Sequence, residues 1–419
     1  LGRLEKAGAA FVGTNCGRGP KAATGVIEKM GQASQLPLSA FPNAGFPQFL
    51  GGRYYYLMTP EYLAESAKDL VAAGANLIGG CCGTTPDEIR VMARAIRGMK
   101  PAARKIVSAP PAEPLRKTSE AAPPEPHFLD PGRPGPLILA EIDPPKGMRT
   151  KKSLEGIKSL VDAGAHTITI GDNPLAILRM GHIPFAYKVR EMTGIDPVIH
   201  FSCRDRNLIG TQSTLMGAHL LGIRTILALT GDPARVGNQP NATSVFDLNS
   251  FSLLELIAKM NAGENLAGAS IGQKTNFIPG VAFNPNVRRI DAQLSRLERK
   301  VKLGAKFSMT QPVFDLDKAR QVYEVTKGFG IPIFLGLFPL TSWRNAEYLH
   351  NEVPGIEVPE EIRKRLREAG DDGLETGLEF CRQIIDDLFD TAPGFYIIAP
   401  FNKAAIARVL VEHIRSRST

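Results

Sequence analysis

Short apolar runs that end in polar residues recur along this chain, and each follows a stretch with the pattern of a helix. Within residues 225–233, an apolar run between two threonines predicts a buried strand. Thr230, Gly231 and Asp232 follow this run, and a proline ends it. Gly222, just before the run, is typical of a helix C-terminus. The stretch therefore predicts a helix, a buried strand and a polar strand end, in that order.

The same order occurs around Gly8, Gly74, Gly164 and Gly304. Helices that alternate with apolar strands predict parallel βα units covered on both faces. Both a (β/α)8 TIM barrel and an open doubly wound sheet are built from such units. Polar residues at the ends of many different strands favour the barrel, whose active site lies at the carboxyl ends of all its strands. An open sheet would concentrate such residues at one switch point.

Residues 137–419 contain enough strands for one complete barrel, because about 280 residues and eight strands fit that fold. The predicted strands are 137–142, 167–170, 198–201, 225–229, 279–283, 307–310, 332–337 and 395–398. Helix-type stretches lie between them. We therefore expect a (β/α)8 barrel over 137–419.

Residues 1–100 predict only three βα units, too few to close a barrel. The chain starts without Met and inside a helix-type pattern, so we expect an N-terminally truncated segment of a second TIM barrel. Residues 101–136 are rich in proline and alanine and predict an extended linker. We expect the two modules on either side to fold independently.

Composition narrows the class of protein. The chain has 419 residues, of which 43% are hydrophobic and 22% charged, as in ordinary globular proteins. Its net charge is +8, but lysine and arginine are scattered, which argues against nucleic acid and for anionic small molecules. No apolar run reaches membrane-spanning length. Five cysteines suit a reducing compartment, so we expect a cytoplasmic protein. The sequence leaves open whether the chain forms a homo-oligomer.

Three cysteines stand at predicted strand ends of the first module. Cys16 follows one strand, and the adjacent Cys81 and Cys82 follow another. Three thiolates that converge on one rim suit a zinc ion with an open fourth position. The alternative, that these cysteines are small buried apolar residues, fits their spacing equally well.

Acidic residues end two strands of the predicted barrel. Glu141 follows an apolar run, and burial there would raise its pKa and suit it to donate a proton. A rim glutamate paired with an arginine is the competing interpretation. Asp232 lies in a Gly-Asp-Pro turn, where an Asx-type hydrogen bond would also explain it.

Other polar residues near the strand ends could act in catalysis or binding, but they do not identify a reaction. His200 could be a core histidine or a catalytic group. Gln311 can orient a ligand but cannot move protons at neutral pH. Arg299 and Lys300 suit either a solvated face or phosphate binding. No Rossmann or Walker motif opens a helix. These features favour an enzyme barrel.

The cysteine motifs resemble a known family. GTNC at 13–16 and GGCCGTTP at 79–86 are similar to the C-terminal part of zinc-dependent homocysteine S-methyltransferases. The resemblance implies that Cys16, Cys81 and Cys82 bind zinc and that the homocysteine thiolate takes the open position. It covers about the first hundred residues, so homocysteine is expected as a substrate only if the barrel is complete.

The second module resembles the methylenetetrahydrofolate reductase family. Seven motifs carry the resemblance in order: AEIDPP, ITIGDNP, VIHFSCRDRN, ALTGDP, VAFNPN, RKVKLGAKFSMTQPVFD and GLFPL with RNAEYLHNEVPG. The arrangement is that of the bifunctional proteins in which a homocysteine methyltransferase barrel precedes the reductase. The resemblance implies a flavoprotein oxidoreductase of one-carbon metabolism and methionine biosynthesis. It would use FAD and NAD(P)H to reduce 5,10-methylenetetrahydrofolate to 5-methyltetrahydrofolate.

The same resemblance implies roles for individual residues. Glu141 would protonate the folate N10 as the five-membered ring opens, and Asp232 would lie near the flavin and pterin and favour the cationic iminium. Gln311 would hydrogen-bond the folate and nicotinamide, and Asn345 adds a second amide. Residues expected to line the FAD site are Thr169, His200, Thr230, Gly231, Asp232, Phe283, Arg299 and Lys300.

Two further functions compete with folate reduction. Zinc-dependent methyl transfer would make the first module the working part, with the second barrel as a folate-binding platform. A non-enzymatic interpretation makes residues 1–100 a module that docks a partner. The sequence leaves the choice between NADH and NADPH open.

Overall fold

The computed structural model describes residues 1–17, 19–45, 48–50, 53–56, 58–104, 127–130, 135–353 and 355–418. The chain divides into two units, Leu1–Glu120 and Ala121–Thr419. Most of the predicted linker 101–136 lies outside the described residues. Within the described part of the chain, no helix is long and apolar enough to cross a membrane.

The first unit contains the three predicted βα units. Its strands β1, β2 and β5 form a parallel sheet in that order, and β3 pairs with β4 antiparallel. Apolar side chains of the helices pack on the sheet around the fully buried Ile27, Leu38 and Leu70. The elements are α1 Gly2–Lys6, β1 Val12–Cys16, α2 Pro20–Ala33, β2 Leu38–Pro42, β3 Gln48–Leu50, β4 Arg53–Tyr55, α3 Pro60–Ala72, β5 Leu77–Ile78 and α4 Pro86–Ala95.

Eight parallel strands of the second unit close into a barrel. Each strand pairs with the next along the chain, and the last pairs with the first, with Ile398 opposite Glu141. The predicted (β/α)8 barrel is confirmed, and the open sheet is excluded because no strand of the eight has a free edge. The strands are β6 Leu137–Glu141, β7 Thr167–Ile170, β8 Val198–Ser202, β9 Thr225–Leu229, β10 Ile278–Phe283, β11 Phe307–Pro312, β12 Ile333–Leu337 and β13 Gly394–Ile398.

Helices follow the strands and cover the barrel. They are α5 Lys151–Asp162, α6 His182–Thr193, α7 Leu208–Leu220, α8 Ser250–Ala262, α9 Ile290–Lys302, α10 Leu316–Thr326, α11 Trp343–Glu352, α12 Glu360–Ala369, α13 Gly373–Leu388 and α14 Ala404–Ser418. Asparagine side chains cap two of them: Asn207 accepts from the third residue of α7, and Asn249 forms a capping box on α8.

Side chains alternate between two apolar layers along each strand. In β6, Leu139 faces the barrel interior, whereas Ile138 and Ala140 face the helices. The period of two in a strand causes this alternation. Because both layers are apolar, the strands read as nearly continuous hydrophobic runs, which is why the sequence revealed them.

A turn inside the predicted linker fills the amino end of the barrel. Phe128 is 4% exposed and packs between Phe307 and Phe334, with ring centroids 6.1 and 6.3 Å away. Next to it, His127 Nε2 lies 2.7 Å from Thr225 Oγ1, at the first residue of β9. The composition of this segment gave no sign of these buried contacts.

Candidate functional site

The carboxyl ends of the eight strands place most predicted site residues on one rim. In a closed parallel barrel every strand ends on the same side. Glu141 ends β6, Thr169 lies near the end of β7, and His200 lies near the end of β8. Asp232 follows β9, and Gln311 lies near the end of β11. The two predicted catalytic carboxyl groups therefore share this rim.

Glu141 is a largely buried acid whose surroundings favour its protonated form. Burial raises the pKa of its carboxyl group well above the usual range, and the nearby Asp143 raises it further. Asp143 itself is paired with Arg179, whose Nη2 lies 3.0 Å from its Oδ2. The guanidinium therefore pairs with Asp143, and its smaller effect on Glu141, like that of the Thr169 hydroxyl, lowers the pKa of Glu141 without offsetting burial.

His200 lies beside Glu141 inside the barrel mouth. Its Nε2 is 3.7 Å from Glu141 Oε2, and the two side chains are 12% and 16% exposed. Burial, with a smaller contribution from His182, lowers the pKa of His200 to about 4. Among the described residues, neither His200 Nε2 nor Thr169 Oγ1 has a hydrogen-bond partner. These two buried polar atoms are available to a ligand.

A buried carboxylate that the sequence analysis did not single out organises the neighbouring strand ends. Asp172 accepts from the backbone and hydroxyl of Ser202, both at 3.1 Å, and from Arg206 at 2.9 Å. Its other oxygen lies 3.0 Å from His182 Nδ1. Burial alone would raise its pKa, but His182 and Arg206 hold the pKa of Asp172 well below its usual range. Its position directly after a buried strand, like that of Asp232, was the available sequence signal.

The turn after β9 approaches the neighbouring strand closely. Gly231 has φ of +90°, and a Cβ there would lie 2.9 Å from Ser202 Cβ, so the position requires glycine. Thr230 Oγ1 accepts from the backbone of Ser250 at the start of α8, at 3.1 Å. The Asp232 side chain is exposed.

Arg204, also missed in the sequence, fixes this turn. Its guanidinium is 2% exposed and donates to the carbonyl oxygens of Asp232 and Asn173 at 3.3 and 3.2 Å. Asp205 neutralises it through two hydrogen bonds of 2.7 Å. Arg204 thus joins the loops after β7, β8 and β9.

Cations of α9 lie close to the start of α8. Lys300 is buried and donates from Nζ to the Ala282 carbonyl at 2.9 Å. Burial, and then Arg296, lowers the pKa of Lys300 to about 8. The Arg299 guanidinium lies 4.5 Å from the centroid of the Phe251 ring. Lys300 is therefore a buried cation rather than part of a solvated face.

The remaining predicted site residues lie in three different environments. Gln311 is exposed at the carboxyl rim. Asn345 is 9% exposed, and its Oδ1 accepts from the Thr341 backbone at 3.2 Å, so it orders its own loop. Phe283 is 1% exposed and packs in the layer between strands and helices, so only its backbone meets the mouth.

Three thiols converge in the first unit. Cys16 Sγ lies 3.2 Å from Cys81 Sγ and 4.0 Å from Cys82 Sγ, and the adjacent pair is separated by 4.0 Å. Tetrahedral zinc with Zn–S bonds of about 2.3 Å requires sulfur separations of about 3.8 Å. Hydrogen bonds to Cys81 and Cys82 raise the pKa of Cys16 to about 11, whereas the bond from Cys16 lowers the pKa of Cys81. The interpretation as buried apolar residues fails for Cys16 and Cys82, which are exposed.

Asn43 joins the two cysteine loops. Its Nδ2 donates to the Gly17 carbonyl at 2.8 Å, and its Oδ1 accepts from the Cys82 backbone at 3.2 Å. Cys16 has φ of +63°, which turns the chain directly after β1. The site is thus built by three loops at the carboxyl end of the small parallel sheet.

Comparison with protein families follows the two units. The family model for methylenetetrahydrofolate reductase matches residues 133–414, more than half of the chain. The chain belongs to the methylenetetrahydrofolate reductase family. The family model for homocysteine S-methyltransferase matches residues 1–96. Both family resemblances expected from the motifs are confirmed.

Individual relatives agree with this division. A probable methylenetetrahydrofolate reductase (NADPH) of Caenorhabditis elegans is 24% identical over 274 residues, covering 62% of this chain and 38% of the relative. The methionine synthase of Mycobacterium leprae is 37% identical over 97 residues, covering 23% of this chain and 8% of the relative. The chain thus spans less than two fifths of the length of either relative.

Solved structures are similar to this chain only at low identity. The coenzyme F420 dependent tetrahydromethanopterin reductase of Methanopyrus kandleri is 14% identical, covers 68% of this chain and 99% of its own, and has a TM-score of 0.45. A TM-score at this level does not distinguish one barrel family from another.

Proposed function

We propose that residues 137–419 reduce 5,10-methylenetetrahydrofolate to 5-methyltetrahydrofolate with NAD(P)H and FAD. Membership of the methylenetetrahydrofolate reductase family supports the reaction type. The observation that carries the proposal is the position of the largely buried Glu141 at the barrel mouth, on the same rim as Asp232, where burial raises the pKa of Glu141. Opening of the folate ring needs an acid at neutral pH, and an ordinary exposed glutamate would be ionised.

The residues at the mouth fit a flavin. The buried Thr169 Oγ1 and His200 Nε2 need polar partners, and Gly231 lets the turn that carries Asp232 pack closely against Ser202. Arg299 and Lys300 supply positive charge for phosphates. Hydride transfer between nicotinamide and folate is the chemistry that bound FAD supplies.

The chain's own groups account for the rest of the reaction. Glu141 donates its proton to the folate N10 when the five-membered ring opens. The exposed Asp232 carboxylate stabilises the positive charge that develops on the folate. Gln311, which carries no titratable proton, orients the substrate through its amide.

Anaerobic stopped-flow on the purified chain tests this proposal. We expect NADH or NADPH to bleach a bound flavin and methylenetetrahydrofolate to reoxidise it. Glu141→Gln should abolish reoxidation by folate and leave bleaching by NAD(P)H intact, because only the folate half-reaction needs the acid. Glu155→Gln, at an exposed position of α5, is the matched control. Colourless protein that takes up no added FAD would refute the proposal.

The arrangement of Cys16, Cys81 and Cys82 supports a second proposal, that the first unit binds zinc with an open fourth position. The three sulfur separations of 3.2, 4.0 and 4.0 Å bracket the tetrahedral value. An open position is what a homocysteine thiolate would need. We expect one zinc ion per chain in the purified protein. The zinc should be lost in Cys82→Ser and kept in Cys381→Ala, the control. Methionine formation from homocysteine tests methyl transfer separately.

For the organisation of the chain we retain the boundaries 1–100, 101–136 and 137–419 as a proposal. The homocysteine S-methyltransferase model ends at residue 96 and the methylenetetrahydrofolate reductase model begins at residue 133, both close to these boundaries. The buried contacts of His127 and Phe128 support assigning the end of the linker to the barrel. A reducing cytoplasm would keep the three thiols available to a metal.

A further inference from the structure

Helix α7 lacks the polar outer face of an ordinary barrel helix. Its buried side chains are those of Thr211, Leu215 and Ala218. On the opposite side, Ile209 and Leu220 are 77% and 85% exposed, and Met216 between them is 44% exposed. None of the thirteen residues of the helix is Asp, Glu, Lys or Arg. A helix that is apolar on all sides is usually covered on all sides.

The outward residues form one stripe along α7. They are Ile209, Ser213, Met216 and Leu220. Their spacing of four, three and four residues keeps side chains on one side of a helix, and it is the same in both directions. A second α7 that runs antiparallel therefore fits the stripe, with Ile209 of one copy opposite Leu220 of the other.

Gly217 lies inside this helix, next to the stripe. The position where a Cβ would stand has no other atom within 4 Å in the described part of the chain. Glycine in a helix interior is less stable than alanine, and nothing in the fold of one copy requires it here. A second helix would require it, because small residues let two helix backbones approach closely.

Charged groups at the two ends of α7 favour the antiparallel arrangement. At its start, the exposed Asp247 accepts from the first backbone N–H of the helix at 2.8 Å. At its end, Arg224 donates to the His219 carbonyl at 3.1 Å, and Arg190 lies beside Gly222. Two antiparallel copies bring the acidic end of one helix to the basic end of the other, whereas parallel copies bring like charges together.

We propose that α7 is the interface of a homodimer, in which two copies of this chain pack α7 against α7 about a twofold axis. A twofold interface uses the same patch on both copies, so the patch must complement itself. The uncharged stripe, which is the same in both directions, and the opposite charges at its ends meet this requirement.

Neighbouring elements widen the uncharged face. Residues 265–273 contain no charged side chain, and the Leu266 backbone donates to Gln212 of α7 at 2.9 Å. On the other side, Tyr187 of α6 is exposed, one turn before Arg190. With α7 about 20 Å long and its neighbours about 10 Å away on each side, the face measures about 20 by 30 Å. That is of the order of the roughly 800 Å² per partner found in stable complexes.

A second copy fits this face better than a lipid surface does. Helices that lie on a bilayer carry Lys or Arg beside the apolar stripe, and α7 carries neither.

Sedimentation velocity of the full chain tests the interface. We expect the wild type to sediment as a dimer and Leu220→Glu as a monomer, because the new carboxylate would be buried against Ile209 of the second copy. The dissociation constant should rise about 100-fold, as for a buried charge without a partner. Met148→Glu, at a position 88% exposed in the loop before α5, is the matched control and should leave the dimer intact.

A second substitution separates a lost contact from a misfolded chain. Ile209→Lys alone should also give monomers. Ile209→Lys combined with Leu220→Glu should dimerise again, because antiparallel packing places each new lysine against a new glutamate. Parallel packing would place like charges together, so the absence of rescue would overturn the antiparallel interface.

Gly217→Ala should have opposite effects on the monomer and on the dimer. In the monomeric Leu220→Glu background it should raise the melting temperature, because alanine favours the helix. In the otherwise native chain it should weaken dimerisation, because the new methyl group lies where the second helix approaches. An unchanged dissociation constant would contradict the close contact at Gly217.

Two further results would overturn the proposal. One is a wild-type chain that is monomeric at every concentration measured. The other is binding of that monomer to vesicles of anionic phospholipid that Leu220→Glu abolishes, which would assign the face to a membrane. None of these measurements depends on flavin or folate, so failure of the interface is distinct from failure of the proposed function.

Discussion

Neighbouring charged groups decide the pKa values of buried carboxyl groups at the barrel mouth. Glu141 and Asp172 are both buried carboxyl groups one strand apart, but the pKa of one is raised and that of the other is lowered. The difference lies in their partners: Asp172 has His182 and Arg206, whereas Arg179, the cation that lowers the pKa of Glu141, is paired with Asp143. The sequence identified Glu141 from its position after an apolar run, but the protonation state depended on neighbours from other strands.

Replacing Glu141 should stabilise the protein at neutral pH. Because its folded pKa is raised, Glu141 favours the folded state below its unfolded pKa of about 4.3, and this contribution is lost as the pH rises towards the folded value. Glu141→Gln should therefore match the wild type near pH 4 and be more stable at pH 8. Urea unfolding at both values measures this, with Glu155→Gln as control. If Glu141→Gln is less stable than the wild type at pH 8, the pKa of Glu141 is not raised in the folded state.

Replacing Asp172 should have the opposite dependence on pH. Its lowered pKa contributes stability above the unfolded value of about 3.9, and that contribution is lost as the pH falls. Asp172→Asn leaves a buried cation unpaired and should cost about 3–5 kcal/mol at pH 7. The difference from the wild type should shrink below about pH 4, as followed by denaturant midpoints. A difference independent of pH would show that packing, not charge, is lost.

At the scale of elements, loops at the ends of parallel strands bring distant residues together. Cys16 is more than sixty positions from Cys81 and Cys82 in sequence, and the three sulfur atoms meet because β1 and β5 flank β2 in one parallel sheet. The double cysteine was visible in the sequence. The bridge made by Asn43 was not, although Asn43 also follows a strand end, because an asparagine there is equally common in ordinary turns.

Asn43→Ala should weaken metal binding without removing a ligand. The substitution removes both hydrogen bonds that fix the Cys16 and Cys82 loops, and loss of such outer contacts typically costs 10- to 100-fold in affinity. Competition with a zinc-binding dye measures the affinity. Asn76→Ala provides a comparison, since the Asn76 Oδ1 accepts a hydrogen bond from the Leu38 backbone at the start of β2, the end away from the cysteines. Equal losses in both variants would indicate a general loss of folding.

At the scale of the whole molecule, barrel closure explains why the strand prediction succeeded. Every strand of the second unit is covered inside by side chains and outside by helices, so every strand is apolar enough to recognise. The burial of His127 and Phe128 was not predicted because a four-residue segment is too short to show hydrophobic periodicity. It lies between stretches rich in proline, where composition predicts a linker.

Comparing two fragments tests this boundary. Residues 121–419 retain His127 and Phe128, whereas residues 137–419 lack them. We expect the shorter fragment to be less stable by about 3–5 kcal/mol, the usual cost of losing a buried phenylalanine. Thermal unfolding of both, with Phe128→Ala in the full chain, measures the difference. Equal melting temperatures would show that His127 and Phe128 contribute nothing to the stability of the barrel.

The sequence by itself determined the βα order, the eight strands, the three cysteines and the acid at the end of the first barrel strand. These follow from local patterns, because a buried parallel strand is apolar along its whole length and its exit is polar. Only the tertiary structure decided that Phe283 faces the helices, that Lys300 is buried, and that the pKa of Asp172 is lowered while that of Glu141 is raised. Each of these depends on which side chains other strands bring within a few ångströms, and a single strand does not carry that information.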